Sequence, residues 1–178
     1  LYVKELEKNN IHRQYLKILE ERGEVIRVIK GLYVAPDKDI NEFFIMGERY
    51  KTGIFSHNTA LYFYHLTDRT PMSLDMTFPS NVRVNNDFLE PHYIKPELHS
   101  LGETTLKLED GTNIKIYDLE RTICDIIRNK KRIEIALFTD AMKRYVERKD
   151  RNSIRLHKYA KLFNIEDEIR KYLEVLLW

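Results

Sequence analysis

Residues 116–125 read Ile-Tyr-Asp-Leu-Glu-Arg-Thr-Ile-Cys-Asp, and the hydrophobic period changes inside them. Ahead of this stretch Ile114 and Ile116 alternate with polar residues, as a half-buried strand does; beyond it Leu119, Ile123, Ile126 and Ile127 recur at helical spacing. Asp118 stands at the junction, where its carboxylate can accept from the first turn as an N-cap. Arg121 lies three residues after Asp118 and four before Asp125, so one guanidinium can bridge two carboxylates on one helix side. Glu120 falls in the first turn, where a negative charge suits the helix dipole. Cys124 has no helical His neighbour to activate it and is read as an inert buried thiol. The corner is therefore a structural signature, made of Asp118, Glu120, Arg121 and Asp125, rather than an active site.

Upstream, the spacing predicts short strands over 72–78, 82–84, 93–95, 104–108 and 113–117. The last two are joined through Asp110-Gly111, a strong hairpin pair. The run Met72, Leu74, Met76, Phe78 alternates with polar residues and ends at Pro79, so one buried face is expected. Residues 53–55 form a buried strand, after which Ser56 caps a helix over 57–66, with Thr59 nearby in the same role. His57, Ala60, Leu61 and Tyr64 share its inward stripe, which makes His57 a satisfied buried histidine. An amphipathic helix over 40–50 precedes them. The expected architecture is a small, mostly antiparallel sheet flanked by helices, ending in a helical segment.

At the front, a helix over 1–9 is followed by a tight turn at Asn9-Asn10 and a second helix over 11–22. The second carries Tyr15, Leu16, Ile18 and Leu19 as its apolar side and stops at Gly23. Residues 25–28 and 32–34 then make a hairpin through Gly31. Helix, turn, helix, hairpin is the order of a winged helix-turn-helix lacking its first helix. On that reading His12, Arg13, Gln14 and Lys17 face the major groove, where Arg suits guanine and Gln suits adenine. Arg27 and Lys30 on the wing are placed for phosphates. The proline-bearing break over 36–39 sets domains at 1–36 and 37–178.

The charge distribution adds a second feature. Residues 128–161 hold 12 Lys/Arg against 4 Asp/Glu, although the whole chain of 178 residues has a net charge of only +2. Helices are expected over 133–146, 153–162 and 166–177, the first with Ile133, Leu137, Ala141 and Tyr145 as its buried stripe. Acidic partners are scarce within the block, so a second polyanion-contact surface is expected in the basic helical part, 128–178. It comprises Lys130, Lys131 and Arg132 in a turn, Lys143, Arg144, Arg148 and Lys149 along the first helix, and Arg151, Arg155 and Lys158 beyond it.

Known chemistries are not supported. The six His never take a helical ligand spacing, the six Gly are scattered rather than clustered as a phosphate cradle, and one Cys excludes a disulfide framework or cysteine cage. The sequence lacks the paired carboxylates of a nucleotidyltransferase, and its only Glu-x-Lys falls in a helix. No enzyme activity, metal or cofactor is expected. No apolar run is long enough to span a membrane, no export signal is visible, and a cytoplasmic home is expected. Starting at Leu1 rather than Met, the chain is read as trimmed at its front.

With these pieces in place, the sequence resembles the AbiEi family of antitoxins, the abortive-infection, type IV class. The residues that carry the resemblance are Arg27, Val28 and 31–34 in the wing, 56–61 (Ser-His-Asn-Thr-Ala-Leu), and 117–125. The resemblance implies a winged helix-turn-helix that binds inverted-repeat DNA upstream of its own operon and represses it. It also implies a C-terminal domain that counteracts a nucleotidyltransferase toxin without a stable complex. The chain departs from the full pattern in lacking a complete first helix. Two other readings stand beside it: a winged-helix regulator of a phage-defence or restriction-associated locus without a toxin, and a protein–protein interaction module or a nuclease with a dispersed acidic site.

Overall fold

The computed structural model describes residues 3–10, 12, 14–38 and 40–177. Helices and strands form a mixed α+β protein with two sheets, which divides into two compact units, residues 1–51 and 52–178. Arg13, the expected guanine reader, lies outside the described residues.

The first unit runs α1 (Val3–Lys8), α2 (Gln14–Glu21), β1 (Ile26–Ile29), β2 (Leu32–Val34) and α3 (Glu42–Arg49). Asn10 takes a left-handed φ of 55° between the first two helices. Gly23 does the same after α2, where the N–H of Glu24 closes back on the carbonyl of Leu19 at 2.9 Å. That six-residue closure is the Schellman stop, and glycine enters it without a Cβ penalty. Gly31, at φ 88°, turns the antiparallel β1–β2 hairpin and accepts the Val3 N–H at 3.0 Å. Among the described residues, Leu6, Leu16 and Leu32 are the buried apolar ones in this unit. The wider apolar side expected for α2 is not covered: Tyr15 is 60% exposed and Ile18 sits at the surface, because two helical turns bury one residue well in so small a unit. The unit also takes in α3, so the compact boundary falls after Lys51 and not at the proline break over 36–39.

The second unit runs β3 (Ile54–Phe55), α4 (His57–Phe63), β4 (Leu74–Pro79), β5 (Leu89–Ile94), α5 (Pro96–His99), β6 (Glu103–Lys107), β7 (Asn113–Tyr117), α6 (Leu119–Arg128), α7 (Ile135–Glu147), α8 (Ser153–Phe163) and α9 (Glu166–Leu177). Its sheet order is β5-β4-β3-β7-β6. β3–β4 and β6–β7 are antiparallel, but β3–β7 and β4–β5 are parallel, so this sheet is mixed rather than mostly antiparallel. The cause is the 80–88 connection, which runs back as irregular chain where a strand over 82–84 was expected, so that β5 starts beside the start of β4.

β4 is buried on both faces from Leu74 to Phe78, as a strand inside a covered sheet must be, and Met72 lies before it, fully exposed. Gly53 is required beside it, because a Cβ there would come within 2.7 Å of Met76 and 2.8 Å of Phe78. On the helical side, Leu61, Leu66, Ile123, Ile126, Met142, Tyr145, Leu156 and Ile169 share one apolar cluster. On α7 Phe138, Ala141, Met142 and Tyr145 are buried, and the expected Ile133 and Leu137 pack against the same cluster while partly exposed, so the stripe is wider than expected.

Candidate functional site

In the first unit, His12 uses Nδ1 to accept the Gln14 N–H at 3.2 Å, so it serves the start of α2. Gln14 opens that helix with its side chain exposed. Lys17, also exposed, lies 3.8 Å from Glu21 one turn on. Arg27 and Lys30 are exposed on the hairpin. The fold brings Lys17, Arg27 and Lys30 to the lining of one groove of about 1010 Å³, together with Val3, Leu16, Ile29 and Leu32. Glu20 and Glu48 line it as well, which limits its positive potential.

In the second unit, the Ser56-His57 corner departs from simple capping. Ser56 occupies the N-cap position of α4 but makes no capping bond; its Oγ accepts from Thr77 Oγ1 at 2.8 Å and lies 2.9 Å from His57 Nδ1. Thr59 likewise clips β4, accepting the Asp75 N–H at 2.8 Å. His57 has φ 45°, a left-handed conformation that costs an L-residue with a Cβ about 1–2 kcal/mol. Its ring is buried and stacks on His92 with centroids 3.5 Å apart and 13° between planes. Asn129 Nδ2 sits 2.6 Å from His57 Nε2, and His92 Nε2 meets Asp75 Oδ1 at 2.7 Å. His57 is thus a satisfied buried histidine, and its partners are the adjacent Ser56, His92 on β5 and Asn129 at the end of α6.

These surroundings set the protonation states. Burial first, then electrostatic repulsion from the direction of His92, Arg121 and Arg128, holds His57 well below the ordinary imidazole range. Burial pushes the Asp75 carboxyl upward and outweighs its hydrogen bond to His92. His57, Asp75 and His92 bring ligand-type atoms within 4.8 Å of one another, a distance that would suit a metal ion. Their planes do not suit one. An imidazole lone pair lies in its ring plane and reaches a metal at about 2.0–2.1 Å, so two nearly parallel rings stacked 3.5 Å apart cannot aim at one ion.

The α6 corner is organised around Arg121, which is wholly buried. Its Nε donates to Asp125 Oδ2 at 3.0 Å, and Nη1 donates to the carbonyls of Leu98 and Leu101 at 3.0 and 2.6 Å. The guanidinium carbon lies 4.0 Å from the Tyr117 ring centroid and 4.6 Å from that of Phe163. Asp118 is the N-cap as expected, accepting the Arg121 backbone N–H at 2.8 Å. It is not bridged by the guanidinium: its Oδ2 accepts from Tyr159 at 2.8 Å and faces Arg155 at 3.5 Å. Glu120 is buried and accepts the Asn152 N–H at 2.7 Å, fastening the start of α8. Cys124 is buried, and desolvation raises its thiol.

The basic block divides in two. Arg144 pairs with Asp68 and Asp140, Arg148 with Asp150, and Arg155 with Asp118 and Glu120. Several of these carboxylates lie far away in sequence, which is why acids looked scarce when only the block was counted. Lys130 lies over the Tyr172 ring at 5.6 Å. Lys131, Arg132, Lys143, Lys149, Arg151 and Lys158 are exposed.

Sequence reasoning missed Asp75, Thr77, His92 and Asn129. In β4 the alternation marked Asp75 and Thr77 for solvent, and only the parallel register that sets Thr77 opposite His92 puts all three side chains on one covered face. No known protein-family model matches the chain, and no curated protein matches it. Among the described residues, no helix is long and apolar enough to cross a membrane.

Proposed function

We propose that this chain is a DNA-binding antitoxin of the AbiEi kind. Its front, read as a winged helix-turn-helix, binds inverted-repeat DNA and represses its own operon, while the C-terminal region opposes a nucleotidyltransferase toxin. The observation that carries the reading is the order α1, turn, α2, hairpin, with Gln14 and Lys17 exposed on α2 and Arg27 and Lys30 exposed on the hairpin. In this arrangement Gln14 reads a base edge, and Lys17, Arg27 and Lys30 hold phosphates. The buried clusters around His57 and Arg121 serve as the frame of the C-terminal region and perform no catalysis.

The experiment is a titration of the protein against duplex DNA from its own upstream region and against a scrambled duplex of equal length. Preference for the upstream duplex is expected, and Gln14→Ala should reduce affinity for it by about 1–3 kcal/mol. Equal affinity for both duplexes would defeat sequence recognition. Antitoxicity is checked separately, by growth rescue when the neighbouring toxin gene is expressed.

A further inference from the structure

The five-stranded sheet of the second unit ends in two strands with one neighbour each, β5 and β6. An edge strand presents a row of unpaired N–H and C=O groups, which is a template for another strand. β5 is blunted by Pro91, which has no N–H to donate. β6 contains no proline, and all of its residues except Leu106 are exposed. The ladder with β7 fixes which of its backbone groups face outward. Asp118 donates to the Gly102 carbonyl and Leu108 to that of Thr112, both at 2.7 Å, just beyond the two ends of the β6–β7 register. Residues opposed in an antiparallel pair alternate between hydrogen-bonded and non-hydrogen-bonded. Thr104 and Leu106 therefore turn their backbone groups toward β7, and Glu103, Thr105 and Lys107 turn theirs away from the sheet. The Glu103 N–H closes a turn onto the Ser100 carbonyl at 3.1 Å, which leaves the Glu103 carbonyl facing out. The side chains of these three residues also share one face. On it Glu103 lies 3.8 Å from Lys115, and Lys107 has no ion pair among the described residues.

We propose that β6 pairs antiparallel with β6 of a second copy of this chain, in the register centred on Thr105. The two Thr105 residues then exchange both backbone bonds, and each Lys107 N–H donates to the Glu103 carbonyl of the other copy. On the side-chain face each Glu103 stands opposite Lys107 of the other copy, and on the reverse face each Leu106 stands opposite Thr104. Opposite charges directly across a strand pair stabilise it, and like charges destabilise it. The charges that would blunt this edge toward an unrelated strand thus select a second copy. They also select the register: a slip of the pairing toward the turn sets Glu103 against Glu109, and a slip the other way leaves Glu103 opposite Thr105 and Lys107 opposite Leu101. A two-fold axis through Thr105 makes the contact isologous, so it closes at two chains. β6 supplies 5 residues a side, against the roughly 20–30 a side of a stable complex. The pair is accordingly weak and reversible. It stands whether or not the first unit binds DNA.

The test is sedimentation velocity on the full chain without DNA. The average mass of wild type should rise with protein concentration from one chain toward two. Thr105→Pro removes an N–H that points away from β7, so the β6–β7 ladder is kept and pairing should be lost. Lys107→Glu sets a carboxylate against Glu103 of the other copy and should move the midpoint of pairing up by about tenfold or more. Combining it with Glu103→Lys exchanges the charges and should restore pairing. Wild type that sediments as one chain at every concentration overturns the proposal. So does a dimer that Thr105→Pro, folded by its melting curve, leaves intact, or a folded exchange variant that fails to recover what Lys107→Glu loses. None of these outcomes touches the regulator reading.

Discussion

Arg121 and Asp125 form an ion pair 3.0 Å long from which solvent is shut out on both sides, four residues apart on α6. Arg121 also holds the carbonyls of Leu98 and Leu101, so it ties the helix to the segment around α5. Breaking a buried pair by removing one partner leaves an uncompensated charge and costs about 3–5 kcal/mol. Arg121→Ala should therefore unfold the second unit at much lower denaturant, and the DNA affinity proposed above should fall only as far as folding does. Arg121→Lys should recover little of the loss, because three donors on one nitrogen do not span the separate positions that the guanidinium fork reaches at Asp125, Leu98 and Leu101, and an ammonium gives up the guanidinium's contact with Tyr117 and Phe163. Loss of function in a fully stable Arg121 variant, by chemical denaturation, would reopen the corner as an active site.

Gly102 is predicted to be intolerant of any side chain. It has φ 80°, its carbonyl accepts the Asp118 N–H at 2.7 Å, and an added Cβ would come within 2.7 Å of Arg121 Cβ. Gly102→Ala thus combines a disfavoured backbone angle with a clash against a side chain that is itself fixed. The variant should lose more than 1 kcal/mol, the left-handed penalty alone being about 1–2. Gly111→Ala is the control: φ is 83° there as well, but nothing lies within 4 Å. Thermal melts that rank the two variants equally would refute the role given to the contact with Arg121.

Some local features are legible in the sequence, although a Ser56 cap bond, an Arg121 bridge to Asp118 and a strand over 82–84 are local expectations that the fold does not meet. The β7–α6 junction shows as a change of period, Asp118 as a cap, and Asp110-Gly111 as a hairpin, because each depends on residues within a turn of one another. The parallel pairing of β4 with β5 depends instead on an irregular connection with no periodic signal. The polar cluster depends on that pairing in turn. His57 meets Asn129 across 72 positions and Asp75 meets His92 across 17, so neither pair leaves a spacing pattern. The same holds for Arg144 and Asp68, which made the basic block look less neutralised than it is.

The His57 corner should make stability depend on pH with a defined sign. In the native state burial keeps His57 neutral, whereas in the unfolded chain it titrates near its ordinary value of 6.5. As pH falls through about 6.5 the unfolded state binds a proton that the native state refuses, so the contribution is complete above that value and lost below it. His99, also lowered by burial, acts in the same direction. Asp75, raised by burial, acts oppositely in the carboxylate range, since the native state takes up its proton first. Between pH 7.5 and 5.5 the wild type should therefore lose stability by up to about 1.4 kcal/mol per pH unit for each such histidine below its unfolded pKa. His57→Gln should show a flatter profile; an identical slope in both proteins would place the titrating group elsewhere.

Glu120 gives a case where charge and hydrogen bonding can be separated. It is buried in the first turn of α6, and its Oε1 accepts the backbone N–H of Asn152 at 2.7 Å. Asn152 in turn caps α8, accepting the Arg155 N–H at 2.9 Å. The other oxygen, Oε2, faces Arg155 Nη1 at 3.4 Å, but Arg155 is 45% exposed and solvent screens that pair. Screening makes the ion pair the lesser contribution, near the 0–1 kcal/mol of surface pairs. The bond to Asn152, made by a charged acceptor out of solvent, contributes about 1.5–3 kcal/mol. Glu120→Gln keeps an oxygen for Asn152 but makes that bond neutral and gives up the screened ion pair, so it should cost about 1–2 kcal/mol. Glu120→Ala loses the anchor of α8 as well and should cost more, with faster amide exchange at the start of that helix. If the Gln and Ala variants were equally destabilised, the charge toward Arg155, rather than the bond to Asn152, would be what holds α8 to α6.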